Sequence, residues 1–129
     1  MKKTRLAVTA AALSIISAAP AAAQHMNAEI FYQRAMKLKK KGPLALFAKS
    51  EIKALVGEVR AAGTRVKETR LAIERTGKHG RYCPPKQKRE MGTDEYLKGI
   101  GSIPQAERRR IDMVEATTRM LAAKFPCPR

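Results

Sequence analysis

Chemistry in this chain would have to run through a short list of side chains: two cysteines, Cys83 and Cys127, two histidines, His25 and His79, and a large excess of Lys and Arg. Each cysteine is followed by proline, in Cys83-Pro84-Pro85 and in Phe125-Pro126-Cys127-Pro128. Two cysteines permit only one intramolecular pairing, and a bridge between them would staple the segment they enclose. A metal centre does not follow, because two distant cysteines and a loop histidine have no recognisable ligand spacing. His25 near a mature N-terminus would offer copper only nitrogen donors. Enzyme signatures are also missing: the sequence has no Gly-rich phosphate loop, no Gly-x-Ser-x-Gly elbow and no His-Glu-x-x-His. A triad around His79 has no placed nucleophile. The reading is therefore of a binding protein, with no catalytic residue, metal or cofactor expected.

The charge says what such a protein would bind. Of 27 Lys and Arg, three lie in the first five residues; the remaining 24 stand against 11 acids, about +13. An excess of this size implies an acidic partner: an acidic protein, a nucleic acid, or anionic polymers of the cell envelope. Nucleic acid is disfavoured by the scarcity of aromatics that would stack on bases. Three basic clusters have different explanations. Lys37, Lys39, Lys40 and Lys41 precede Gly42-Pro43, where cations complement the negative end of a helix and glycine suits its C-cap. The loop holding Lys78, His79, Arg81, Tyr82, Lys86, Lys88 and Arg89 gains nothing locally from its charge. Nor do Arg108, Arg109 and Arg110, which sit near an expected helix start, where positive charge is unfavourable. These ten residues are the candidate partner-binding surface, with the two clusters expected side by side.

The elements that must position this surface are helical. Residues 1–23 read as a signal peptide: Lys2-Lys3-Thr4-Arg5, an apolar run from Leu6 to Ala19 too short to span a bilayer, then Ala21-Ala22-Ala23 with cleavage after Ala23. No other stretch is apolar enough to cross a membrane, so residues 24–129 are expected as a single periplasmic domain, where an oxidising environment allows the disulfide. Asn27 suits the N-cap of a first helix. A long helix is predicted from about Ser50 to Thr76, with Ile52, Leu55, Val56, Val59, Ala62, Val66, Arg70 and Ile73 on its inner stripe. Gly57 and Gly63 within it suggest close approach of another helix and a smooth strip for homodimerisation. Thr93-Asp94-Glu95 starts a short helix, and Pro104 is placed at the first position of the last one, whose stripe runs from Ile111 to Phe125. No strand pattern appears. The expected fold class is all-α, a compact bundle of four to five helices with one disulfide.

The order Tyr82-Cys83-Pro84-Pro85, a short helix ending near Ile103-Pro104, then Ala122-Ala123-Lys124-Phe125-Pro126-Cys127-Pro128 resembles the C-terminal half of the type VI secretion amidase immunity proteins, the Tai or Rap family. The resemblance covers residues 82–128. It implies a small exported helical protein, often dimeric, that occupies the active site of a peptidoglycan amidase. Residues 27–77 lack the cysteine and glycine-tyrosine features usual in that family's N-terminal half, which leaves room for the same scaffold with another partner. A small envelope chaperone and a binder of anionic envelope polymers are the alternatives.

Overall fold

The computed structural model describes residues 24–87 and 89–129. The leader with its cleavage site, and Lys88 of the basic loop, lie outside them. Helix α1 spans Ala28–Lys40 and is followed by a 3₁₀ segment at Gly42–Phe47. Then come α2 at Lys49–Glu74, α3 at Thr93–Gly101, a single turn α4 at Gln105–Arg108, and α5 at Met113–Lys124. Among the described residues there is no strand, and no helix is long and apolar enough to cross a membrane. The all-α class expected from the periodicity is the observed one.

Local chemistry accounts for where the helices start. The Asn27 side chain accepts from the amides of Glu29 and Ile30, and the Asp112 side chain accepts from Glu115. Each thereby satisfies amides that the first helical turn leaves without a partner. The two capping residues also face each other as an isolated bridge. Ala28 N donates to Ile111 O at 3.0 Å, Met113 N to Met26 O at 2.9 Å, and Asn27 Nδ2 to the carbonyls of Arg109 and Ile111. The starts of α1 and α5 are thus one unit.

Pro104 does not open the last helix. It caps α4, which ends after four residues, and the chain turns through Arg109–Ile111 before Asp112 starts α5. The sequence pattern ran the two together because apolar residues recur at nearly helical spacing across the break.

α2, about 39 Å long at 1.5 Å per residue, is the spine, and α5 lies along it. The core joins Phe31 of α1, Leu55 and Ala62 of α2, Leu97 and Ile100 of α3, and Met113, Ala116 and Met120 of α5. Phe31, Ile100 and Met113 are fully buried. Methionine suits such a junction because its unbranched chain fills irregular space. Val56, placed on the inner stripe from sequence, is instead about half exposed.

Close helix approach does occur at glycine, though not at the pair expected. A Cβ at Gly57 or Gly63 meets nothing within 4 Å, so neither admits a neighbouring helix of this chain. A Cβ at Gly99 would collide with Met120 Cγ, and one at Gly101 would stand 2.7 Å from the Tyr32 hydroxyl. It is α3 that requires glycine, where it meets α5 and α1.

Cys83 and Cys127 are joined, with Cα atoms 4.8 Å apart. Cys83 N also donates to Phe125 O at 2.8 Å, which fixes the loop against the end of α5. Closing this loop should stabilise the fold by about 4 kcal/mol in the chain-entropy model. Replacing both cysteines by serine should therefore lower the melting temperature by about 10 °C or more, readable by circular dichroism. An unchanged melting temperature would mean that the loop is held without the bridge.

Candidate functional site

The basic loop lies along α5. Cys83 is tied to the last turn of α5 and to Cys127 beyond it, and Lys124 reaches Glu95 at the start of α3. From that anchor Arg81 of the same loop extends to Glu115, in the first turn of α5. Arg109 and Arg110 precede the first turn of α5.

Within the second cluster, Arg108 is not a surface residue at all. Its side chain is 8% exposed and its Nε donates to Glu29 Oε2 at 2.6 Å. Its Nη1 donates to the carbonyls of Gly101, at 3.1 Å, and Ile103, at 2.5 Å. The guanidinium lies over the Tyr32 ring, 4.3 Å from its centroid. Glu29 also accepts from Gln33 and Gln105, each at 2.9 Å. Burial alone would push the Glu29 carboxyl up, but hydrogen bonds from Gln105, Arg108 and Gln33 outweigh it and hold it below the usual carboxylate range.

The break after α4 explains the sign of the charge. Arg108 stands in the last turn of a one-turn helix, and its donors cover carbonyls at the C-terminal end of α3, where a cation is favourable. Glu29 stands in the first turn of α1, where an anion is favourable. The arginine that lacked a local helix argument has a distant one.

Tyr82 is also buried, at 6% exposure, beneath the Arg70 guanidinium at 5.5 Å. A Cβ at Gly80 would come within 2.9 Å of Arg70 Cγ, so glycine there lets the loop lie down on α2. Arg70 in turn pairs with Glu74 at 2.6 Å. Tyr82 anchors the loop and does not present a face to a partner.

Arg81 is exposed but engaged. It forms a two-point pair with Glu115, at 2.6 and 3.1 Å. Arg119 holds the same carboxylate at 2.7 Å and Glu107 at 2.5 Å. The hydrogen bond from Arg81 chiefly, against burial and with help from Arg119, lowers the Glu115 carboxyl. Around Glu115 and Glu107 the charges alternate, with Arg81 and Arg119 taking up both carboxylates. Of the ten candidate residues, that leaves Lys78, His79, Lys86 and Arg89 in the loop, with Arg109 and Arg110 before α5, as exposed groups that form no ion pair among the described residues.

No group of three or more His, Cys, Asp or Glu side chains among the described residues is arranged to hold a metal. Against protein-family models, curated proteins and solved structures, the chain matches nothing.

A feature the sequence did not single out lies between α1, α2 and α3. This apolar cleft of about 520 Å³ has Phe31, Leu38, Ile52, Val56, Val59 and Tyr96 among its walls, and none of the ten predicted residues lines it. Beside it the 3₁₀ segment exposes Leu44 at 66%, Leu46 at 70% and Phe47 at 87%. Leu44-Ala45-Leu46-Phe47 forms a short apolar turn. Only Ala45 reaches the cleft wall, because a 3₁₀ turn of three residues per turn cannot point all its apolar residues to one side.

Two predictions concern the buried pair. Arg108→Ala would leave Glu29 charged and buried, and should destabilise the fold by about 3–5 kcal/mol in urea unfolding; a loss under 1 kcal/mol would show the pair to be dispensable. Since Glu29 has a lowered folded-state pKa, the unfolded chain binds its proton more readily. Its stabilisation is present in full above the ordinary value of 4.5 and is lost as pH falls through the lowered value. Unfolding midpoints taken from pH 6 to 3 should fall less steeply in Glu29→Gln than in the parent protein, and parallel curves would contradict the assignment.

Proposed function

We propose that the chain is an exported, non-catalytic binding protein that silences an enzyme of the cell envelope by covering its active site, in the manner of the amidase immunity proteins that its C-terminal segment resembles. The observation that carries this reading is the fixed basic loop. Its backbone is tied to Phe125 and its side chains to Cys127 and, through Tyr82, to Arg70. Meanwhile Lys78, His79, Lys86 and Arg89 stay exposed with no ion pair among the described residues. A held loop loses little entropy on binding, and unneutralised cations speed encounter with an acidic surface and select against basic ones. The partner is accordingly an acidic-surfaced protein. The open strip at Gly57 and Gly63 leaves room for a second copy in a homodimer.

The exposed Leu44, Leu46 and Phe47 favour a second reading, a small envelope chaperone that shields apolar segments of unfolded clients. Stoichiometry separates the two. In a pull-down from periplasmic extract followed by a peptidoglycan hydrolysis assay, the wild-type protein should inhibit one amidase at about one equivalent. Lys86→Glu, Lys88→Glu and Arg89→Glu together should keep the melting temperature and weaken the complex by at least about tenfold. Suppressed aggregation of many unrelated clients, with no inhibition of any amidase, would favour the chaperone and overturn the proposal.

A further inference from the structure

We infer that the apolar cleft between α1 and α2 is a docking groove for an amphipathic helix with acidic flanks, supplied by a partner protein. The inference stands on the groove alone and does not depend on the role of the basic loop. Three observations lead to it.

The first is shape. On α2 the groove wall runs from Ile52 to Val59, about 10 Å of helix, and faces Phe31, Ala35 and Leu38 on α1. A helix presenting apolar side chains at i, i+3, i+4 and i+7 spans the same length. The second is that apolar surface continues out of the groove onto Leu44, Leu46 and Phe47, which have no packing role in the core. Phe47 at 87% exposure costs solubility unless something covers it.

The third is the sign of the rim. Lys39 and Asp94 line the groove and neutralise each other at 2.8 Å. Outside them, Lys49 and Lys53 each stand one turn from a wall residue of α2, and Lys41 follows the end of α1, all exposed, whereas Lys37 and Lys40 face Gln105 and Arg108 on another side of α1. Glu51, the acid nearest these lysines on α2, is taken up by Arg34 in a two-point pair at 2.6 Å. The rim is therefore cationic around an apolar floor. A second copy of this chain docking by the same face would set lysine against lysine. A lipid surface would meet Leu44, Leu46 and Phe47 but leave the groove behind them unfilled. An acid-flanked helix satisfies both the floor and the rim.

The test uses a fluorescein-labelled helical peptide with Leu or Phe at i, i+3, i+4 and i+7 and glutamates on its flanks, a second peptide with lysines in their place, and phosphatidylglycerol vesicles. The acidic peptide should bind with an affinity on the order of micromolar, and the lysine peptide at least about tenfold more weakly. Val56→Glu and Phe47→Glu, both at exposed positions, should keep the wild-type melting temperature and lose at least about tenfold in affinity for the acidic peptide. Equal binding of the two peptides, or full binding by both variants, would overturn the groove. So would vesicle binding without peptide binding, which would make the surface a membrane contact, or a self-association that Phe47→Glu abolishes, which would make it a contact between copies.

Discussion

The bundle depends on one buried ion pair. Glu29 and Arg108 are 79 residues apart in sequence and 2.6 Å apart in space, and between them they join the start of α1, the end of α3 and all of α4. Taking both charges out of water is unfavourable, and the pair is tolerable because neighbouring groups take up further donors and acceptors of both partners. Gln33 and Gln105 complete the carboxylate, and two backbone carbonyls and the Tyr32 ring complete the guanidinium. Small constraints nearby follow from that geometry. Gly101 carries no side chain because Tyr32 must lie against it, and α4 stops after one turn with Arg108 turned inward. The bridge between Asn27 and Asp112 holds the same corner from the backbone side.

This arrangement sorts the protein's positive charge. Arg108 is structural, Arg70 clamps Tyr82, and Arg81 and Arg119 are bound up with Glu115 and Glu107. What is left faces solvent in separate places: the disulfide-held loop, the Arg109 and Arg110 turn, and the lysines around the apolar cleft. A sequence count of +13 suggests one large basic face. The folded chain instead offers distinct cationic surfaces, two of which adjoin features suited to binding, a fixed loop and an apolar groove.

Where a local rule governs, the sequence was legible. Asn27 caps the first helix, Gly77 adopts a positive φ beyond the second, and the two cysteines meet. Periodicity of apolar residues identified α1, α2, α3 and α5. Errors arose where a distant residue decides. Nothing near Arg108 in sequence announces Glu29, 79 residues away. Tyr82 was grouped with the basic loop because its neighbours are charged, while its burial comes from Arg70, twelve positions earlier. Gly57 and Gly63 resemble Gly99 and Gly101 as letters in helical segments; only the packing of Met120 and Tyr32 tells them apart. The cleft was invisible because an amphipathic stripe does not say whether its outer members, such as Val56, find a partner within the chain.

A double-mutant cycle on Glu29 and Arg108 tests most directly whether the buried pair is the constraint that organises the fold. Unfolding free energies of Glu29→Leu, Arg108→Met and the double variant give the coupling. Each single change strands a buried charge, whereas the double change replaces the pair by apolar groups of similar size, so the coupling should be on the order of 2–3 kcal/mol, with the double variant more stable than either single one. Additivity within about 0.5 kcal/mol would mean that the two residues act independently and that the corner between α1, α3 and α4 is held by something else.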